Sequence, residues 1–345
     1  MKGFRAALAL VALVSSIAFR ADALTVLSAT AVGPKPALIT VNPLTKKAFV
    51  AAPGATGPGS PGDVVTVLDT AVSPPAVTAS IPVGVDPYGI DVNIVTNKVY
   101  VANVGSGTVS VINGLTSAVT ATILSIPGAA GVAVNPVTNR VYVMSTIGAI
   151  FVINGVTDTL LGPPMPVIPP GKTAFLVEVN PVLNRVFVPE WIGGVLHVLD
   201  GLTLAHIAAV PLPPFGFGPT LGGVAVHPLT QDIYVTNEKG GLYRLDGFSH
   251  ALLAMTPVGI PPALPFGTWG VEVDAVKSHV YVAQFETNSV HVFDATSLAP
   301  LGFVLTGPAG PGPTSGPHFT ALDPLAGKLY VTNELASTVS VVSDP

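Results

Sequence analysis

Val132-Ala133-Val134-Asn135-Pro136-Val137-Thr138-Asn139-Arg140-Val141-Tyr142-Val143 reads as an apolar run, a turn and a second apolar run centred on an aromatic residue. The phrase returns as Val224-Ala225-Val226-His227-Pro228-Leu229-Thr230-Gln231-Asp232-Ile233-Tyr234-Val235. It returns again as Ala321-Leu322-Asp323-Pro324-Leu325-Ala326-Gly327-Lys328-Leu329-Tyr330-Val331. Its aromatic recurs as Phe49, Tyr100, Tyr142, Phe187, Tyr234, Tyr281 and Tyr330. That makes seven repeats with a mean spacing of about 47 residues, a period expected of a propeller.

Each repeat accommodates four short strands. The first is the apolar run, and Asn-Pro then presets a turn, because Pro fixes its own φ and pushes the preceding residue to extended geometry. The second strand carries the aromatic. The third alternates with period two, as in Thr108 to Gly114, and the Asn-Gly at its end signals a hairpin. The fourth is less regular, for example Val77 to Val83. A helical repeat of this length is excluded by composition, since Pro or Gly interrupts nearly every 15-residue window. The expected fold is therefore all-β: a seven-bladed β-propeller of four-stranded blades. The last repeat lacks a fourth strand, while Leu24 to Gly33 is a surplus strand ahead of the first repeat. Pairing the surplus with Thr338 to Val342 would close the ring and remove a costly open edge.

Tyr234-Val235-Thr236-Asn237 and Tyr330-Val331-Thr332-Asn333, with the variant Tyr100-Val101-Ala102-Asn103 and the run Gly107 to Gly114, resemble the signatures of the YVTN-repeat β-propeller family. The resemblance covers the chain beyond residue 23. It implies a secreted seven-bladed propeller and says little about activity. The first, fourth and sixth repeats depart from it, at Phe49-Val50-Ala51-Ala52, Phe187-Val188-Pro189-Glu190 and Tyr281-Val282-Ala283-Gln284.

Lys2 and Arg5, the apolar run Ala6 to Ala18 and the small residues of Ala21-Asp22-Ala23 read as a secretory signal peptide over residues 1–23. Residues 24–345 are then a single propeller domain, exported to the periplasm or beyond. Mean hydropathy is +0.64, yet past residue 23 no apolar run reaches the roughly 18 residues of a helical span. Removing Lys2, Arg5, Arg20 and Asp22 takes 14 basic and 19 acidic residues to 11 and 18, a net charge of −7. That sign, with no basic run, argues against a nucleic-acid partner. The absence of Cys excludes disulfides, thiolate metal sites and covalent haem. No cofactor or metal is expected, and the chain is expected to be a monomer.

In a propeller the first strands line an axial channel. The loops leading into them share one face with the loops between second and third strands. The leading loops hold Tyr88, Lys172, Phe175, Trp269, His318 and Phe319. The second-to-third loops hold Asn103, Glu190, Trp191, Asn237, Glu238, Lys239, Glu286, Asn333 and Glu334. Both tryptophans and four of the six glutamates thus fall on one face. The candidate ligand-binding set is Trp191, Trp269, Glu190, Glu238, Glu286, Glu334, His318, Tyr88 and Lys172. No H-E-x-x-H, nucleophile elbow, P-loop or dinucleotide fingerprint occurs. Of the other histidines, His227 takes the turn position before Pro228, and His197 and His291 sit at matching third-strand positions. The first functional reading is a binding or scaffold module for an extracytoplasmic protein or small ligand, with the long loop Pro53 to Asp63 contributing to the contact surface. The alternative is a metal-assisted lactonase-like hydrolase or lyase, using carboxylates and His318 at the funnel.

Overall fold

The computed structural model describes residues 24–54, 63–215, 218, 220–259, 267–307 and 314–344. The expected signal peptide and most of the Pro53 to Asp63 loop lie outside them. Seven antiparallel sheets surround an axis, each ordered inner, second, third and outer strand from the centre. No α-helix occurs among the described residues, so none is long and apolar enough to cross a membrane. Blade 2 is representative, with strands Pro87–Asn93, Lys98–Asn103, Thr108–Asn113 and Ala118–Ile123. The outer strand of blade 3 is split into Thr159–Leu160 and Met165–Pro166, interrupted by Pro163 and Pro164. Blade 7 combines Pro317–Asp323, Lys328–Asn333 and Thr338–Ser343 with the N-terminal strand Thr25–Ala31. Thr25 pairs with Ser343 and Ala31 with Thr338, so the surplus strand closes the ring as expected.

The core lies between blades rather than within them. Each apolar cluster draws on two neighbours. Ile39, Val41 and Val50 of blade 1, for example, pack against Ala321, Tyr330 and Val341 of blade 7. The recurring four-residue signature has a physical reason at each position. Its Tyr is buried and reaches the next blade: the hydroxyls of Tyr142 and Tyr234 donate to the carbonyls of Gly201 and Ala295, both at 2.6 Å. Its Val fills the opposite face, fully buried at Val143, Val235 and Val331. Its Thr ties inner strands together, with Thr236 Oγ1 donating to the Trp269 carbonyl at 2.7 Å. Its Asn braces the third strand: Asn333 Nδ2 donates to Thr338 Oγ1 at 3.0 Å and Ser340 Oγ at 2.8 Å. Asn103, Asn237 and Asn333 are therefore buried structural groups rather than surface ligands.

The turn from inner to second strand is equally regular. Its first residue is Asn42, Asn93, Asn135, Asn180, His227, Asp274 or Asp323, and the side chain accepts the N–H groups two and three residues on. At His227 the acceptor is Nδ1, which imitates the amide oxygen; burial lowers that ring's pKa, keeping it in the neutral form this needs. The turn closes through a left-handed residue, such as Asn97 at φ 54° and Asn139 at φ 52°, a conformation Asn tolerates. The residue two positions after the capping group points outward: Leu44, Val95, Val137, Val182, Leu229, Val276 and Leu325 are all exposed. Consecutive turns are joined, since Asn135 Nδ2 donates to Asn184 Oδ1 at 3.0 Å. Replacing Asn135 with Ala removes three hydrogen bonds at a fully buried side chain. The expected cost is about 2 kcal/mol, read as a lower midpoint in urea at unchanged slope; an unchanged midpoint would mean the turn is held by its backbone alone.

Candidate functional site

On every inner strand the residue paired with the recurring aromatic is the one two positions before the turn cap. Around the ring these are Thr40, Asp91, Ala133, Glu178, Ala225, Glu272 and Ala321. Blades 2, 4 and 6 thus each contribute a carboxylate, and small residues separate them. All three line an axial cavity of about 300 Å³, and among the described residues no Lys, Arg or His lines it. Inner strands crowd together at its upper end. A Cβ on Gly89 would lie 2.1 Å from the Ala130 carbonyl oxygen, and one on Gly131 would lie 2.5 Å from that of Phe175. Only Gly permits that approach.

Asp91 accepts the N–H groups of Val92 at 2.7 Å and Val134 at 2.8 Å, and the Thr40 hydroxyl at 3.3 Å. Those bonds favour its charge, yet burial outweighs them and pushes its pKa up to about 6. Glu178 accepts the Val179 N–H at 3.0 Å. Burial, with the Asp91 charge and more weakly the Glu272 charge, raises it well above the usual carboxylate range. Burial and the Asp91 charge raise Glu272 to about 8. Each side chain is partly open to the channel but enclosed by protein everywhere else, which explains desolvation without full occlusion. Among the described residues no three His, Asp or Glu stand close enough to share a metal ion. Burial thus favours the protonated form of Glu178 and Glu272 more than that of Asp91.

At the end where the inner strands begin, aromatics close the axis. Tyr88, Phe175, Trp191 and Trp269 line one small pocket, with Leu221 and Pro189. Trp191 stands edge-on to Phe175 with centroids 5.3 Å apart, and its Nε1 donates to Glu238 Oε2 at 3.1 Å. Trp269 meets the His318 ring at 5.2 Å, and His318 Nδ1 lies 3.2 Å from Glu334 Oε2. That hydrogen bond lowers the Glu334 pKa and keeps the carboxylate charged. Tyr88 is edge-on to Phe319 at 6.0 Å; burial first, then the charges of Glu334 and Glu238, raise its phenol pKa. Six of the nine candidates read from sequence, namely Tyr88, Trp191, Trp269, Glu238, Glu334 and His318, thus gather at one mouth.

The remaining three do not join them there. Glu190 is 3% exposed, with Oε1 3.1 Å from Lys172 Nζ and Oε2 3.2 Å from His197 Nε2. It is bonded to a buried imidazole instead of facing solvent, and Lys172 is its ion-pair partner. Glu286 is exposed on blade 6 and does not line the mouth pocket. Tyr88, Trp269 and His318 also belong to the inner strands Pro87–Asn93, Thr268–Asp274 and Pro317–Asp323 rather than to loops, because these strands begin one or two residues earlier than the apolar runs suggest. Asp91, Glu178 and Glu272 escaped a search confined to loops. The available signal was register: each stands two residues before a turn cap, and Glu178 and Glu272 are the two glutamates outside the loops.

No family model matches the chain, and no curated protein matches it either. Among solved structures it is similar to Kuenenia stuttgartiensis hydrazine synthase, with a TM-score of 0.73, 18% identity, and coverage of 90% of this chain and 96% of that chain. A likeness at that identity shows the fold alone, and the fold is a seven-bladed β-propeller.

Proposed function

We propose that this chain is an exported propeller of the YVTN-repeat type that works as a binding module for an extracytoplasmic ligand or partner. Residues 1–23 serve as its signal peptide, and it acts in the periplasm or outside the cell. The observation that carries the reading is the convergence of Tyr88, Trp191 and Trp269 on one axial pocket, with Glu238 and Glu334 anchored beside them. Aromatic faces and fixed carboxylates together favour a ligand that presents an apolar body and a cationic group.

Isothermal calorimetry with tetramethylammonium ion, a simple sugar and a divalent metal ion as probes tests the class of ligand. Binding of the ammonium probe, reduced on the order of tenfold or more by Trp269→Ala, is expected. Preferential binding of the sugar, or ammonium binding indifferent to that truncation, would overturn the cationic reading.

A further inference from the structure

The ligand proposed above occupies the aromatic mouth and leaves the axial cavity unassigned. At about 300 Å³ that cavity lies at the lower end of the range of small-molecule sites, roughly 300 to 1,000 Å³. A second cavity, of about 270 Å³, shares Glu178 and Val226 with it and continues to Val182, an exposed turn residue at the end opposite the mouth. The two adjoin, which offers a small solute a way in that avoids the aromatics.

Two observations point to an occupant. Asp91, Glu178 and Glu272 hold one register position in blades 2, 4 and 6, each paired with its blade's aromatic, so they ring the axis at one level. Independently, Thr320 lines the same cavity from blade 7. It is 8% exposed, and its Oγ1 is buried without a hydrogen-bond partner. The other six blades place an aliphatic residue at that position: Ile39, Ile90, Val132, Val177, Val224 and Val271. A buried hydroxyl left unpaired calls for a partner, and a molecule in the cavity would supply one.

The chemistry of the ring narrows what that molecule is. Asp91, with its pKa near about 6, is mostly charged at neutral pH, whereas Glu178 and Glu272 favour the neutral acid. A neutral acid still accepts hydrogen bonds through its carbonyl oxygen. The ring therefore suits one positive charge and several N–H donors spread in a plane. Among the described residues no Lys, Arg or His lines the cavity to provide them, and no three acidic groups stand close enough to share a metal ion. An ammonium group concentrates its donors on one strongly hydrated centre. A guanidinium is planar, carries its donors around a wider perimeter and gives up water more readily. We propose that the axial cavity binds the guanidinium group of a small ligand, lying across the channel with its N–H groups donating to Asp91, Glu178, Glu272 and Thr320. Asp91 supplies the counter-charge, and an apolar substituent extends toward Val226 in the adjoining cavity. Quaternary ammonium ions have no N–H to donate, so this site and the mouth select different cations.

Calorimetry with methylguanidinium at neutral pH, in the presence of excess tetramethylammonium, tests this whether or not the mouth binds the latter. Saturable binding at a single site is expected for the wild type. Asp91→Asn removes the counter-charge and should weaken binding on the order of tenfold or more. Thr320→Val removes the hydroxyl and should weaken it about fivefold. That variant restores the aliphatic character of the other blades, so its thermal melt should not fall and it reports on binding even if Asp91→Asn fails to fold. Methylammonium should bind wild type on the order of tenfold more weakly than methylguanidinium. Absence of methylguanidinium binding would overturn the proposal. So would binding unchanged in Thr320→Val or in a folded Asp91→Asn, or methylammonium bound as tightly.

Discussion

Deleting residues 24–33 lowers the melting temperature of the entire ring, although those residues precede the first repeat. Thr25–Ala31 supplies the outer strand of blade 7, and Leu24 and Val26 pack against the apolar cluster it shares with blade 6. Val32 packs on the seam between blades 7 and 1, and its N–H donates to the Ser337 carbonyl at 3.0 Å. Removal exposes the edge of Thr338–Ser343 and opens both seams at once. A loss on the order of 5 kcal/mol is expected, because several buried groups and a row of ladder hydrogen bonds go together. For a chain of this size that corresponds to roughly 7 °C or more. Scanning calorimetry of the chain with and without the segment measures it. An unchanged melt would show that the ring is closed by blade contacts alone.

The channel carboxylates make stability fall as pH rises above neutrality. Each has a higher pKa folded than unfolded, so the folded state binds more protons. Their stabilising protonation is complete below the ordinary values of 3.8 and 4.5 and is lost as pH climbs through the folded values, about 6 for Asp91 and about 8 for Glu272. Buried histidines act in the opposite sense. His291, pushed down to about 4 by burial, costs stability as pH falls below its ordinary 6.5. Measurement between about pH 7 and about pH 9 separates the two, and the fall there should be on the order of 3 kcal/mol, roughly 5 °C. In Asp91→Asn/Glu178→Gln/Glu272→Gln the slope should vanish and the melt at the alkaline end should rise. A wild type with no slope in this window would mean that channel water solvates all three charges.

The fold was readable because a propeller writes its architecture as a period. One aromatic and one Val in every repeat, joined by Thr in two and by Asn in three, each satisfy a local requirement, and the aromatic–Val requirement recurs with every blade. Ring closure was readable for the same reason, since a repeat short of a strand implies a donor elsewhere. The mouth was partly readable: Trp191 and Trp269 belong to a loop and a strand start that any propeller brings to the same end. Glu190 was not, because its burial depends on Lys172 and His197, and nothing in one strand's pattern reveals that its loop folds inward. Asp91, Glu178 and Glu272 were hidden by ambiguity of environment. Alternation shows which side of a strand they occupy, but only the assembled ring makes that side a desolvated channel.

Single-tryptophan fluorescence tests the axial binding site most directly. Trp191→Phe and Trp269→Phe each leave one reporter, and both positions line the same pocket. Titrated with choline, both proteins should respond with one common saturation midpoint, and Glu238→Gln should shift that midpoint upward in the Trp269→Phe background, where Trp191 still donates to residue 238. The neutral carbon isostere of choline, 3,3-dimethylbutanol, should bind more weakly. Reporters that saturate at different concentrations, or stay silent with both probes, would contradict the assignment of the aromatic mouth as the place where this propeller meets its ligand.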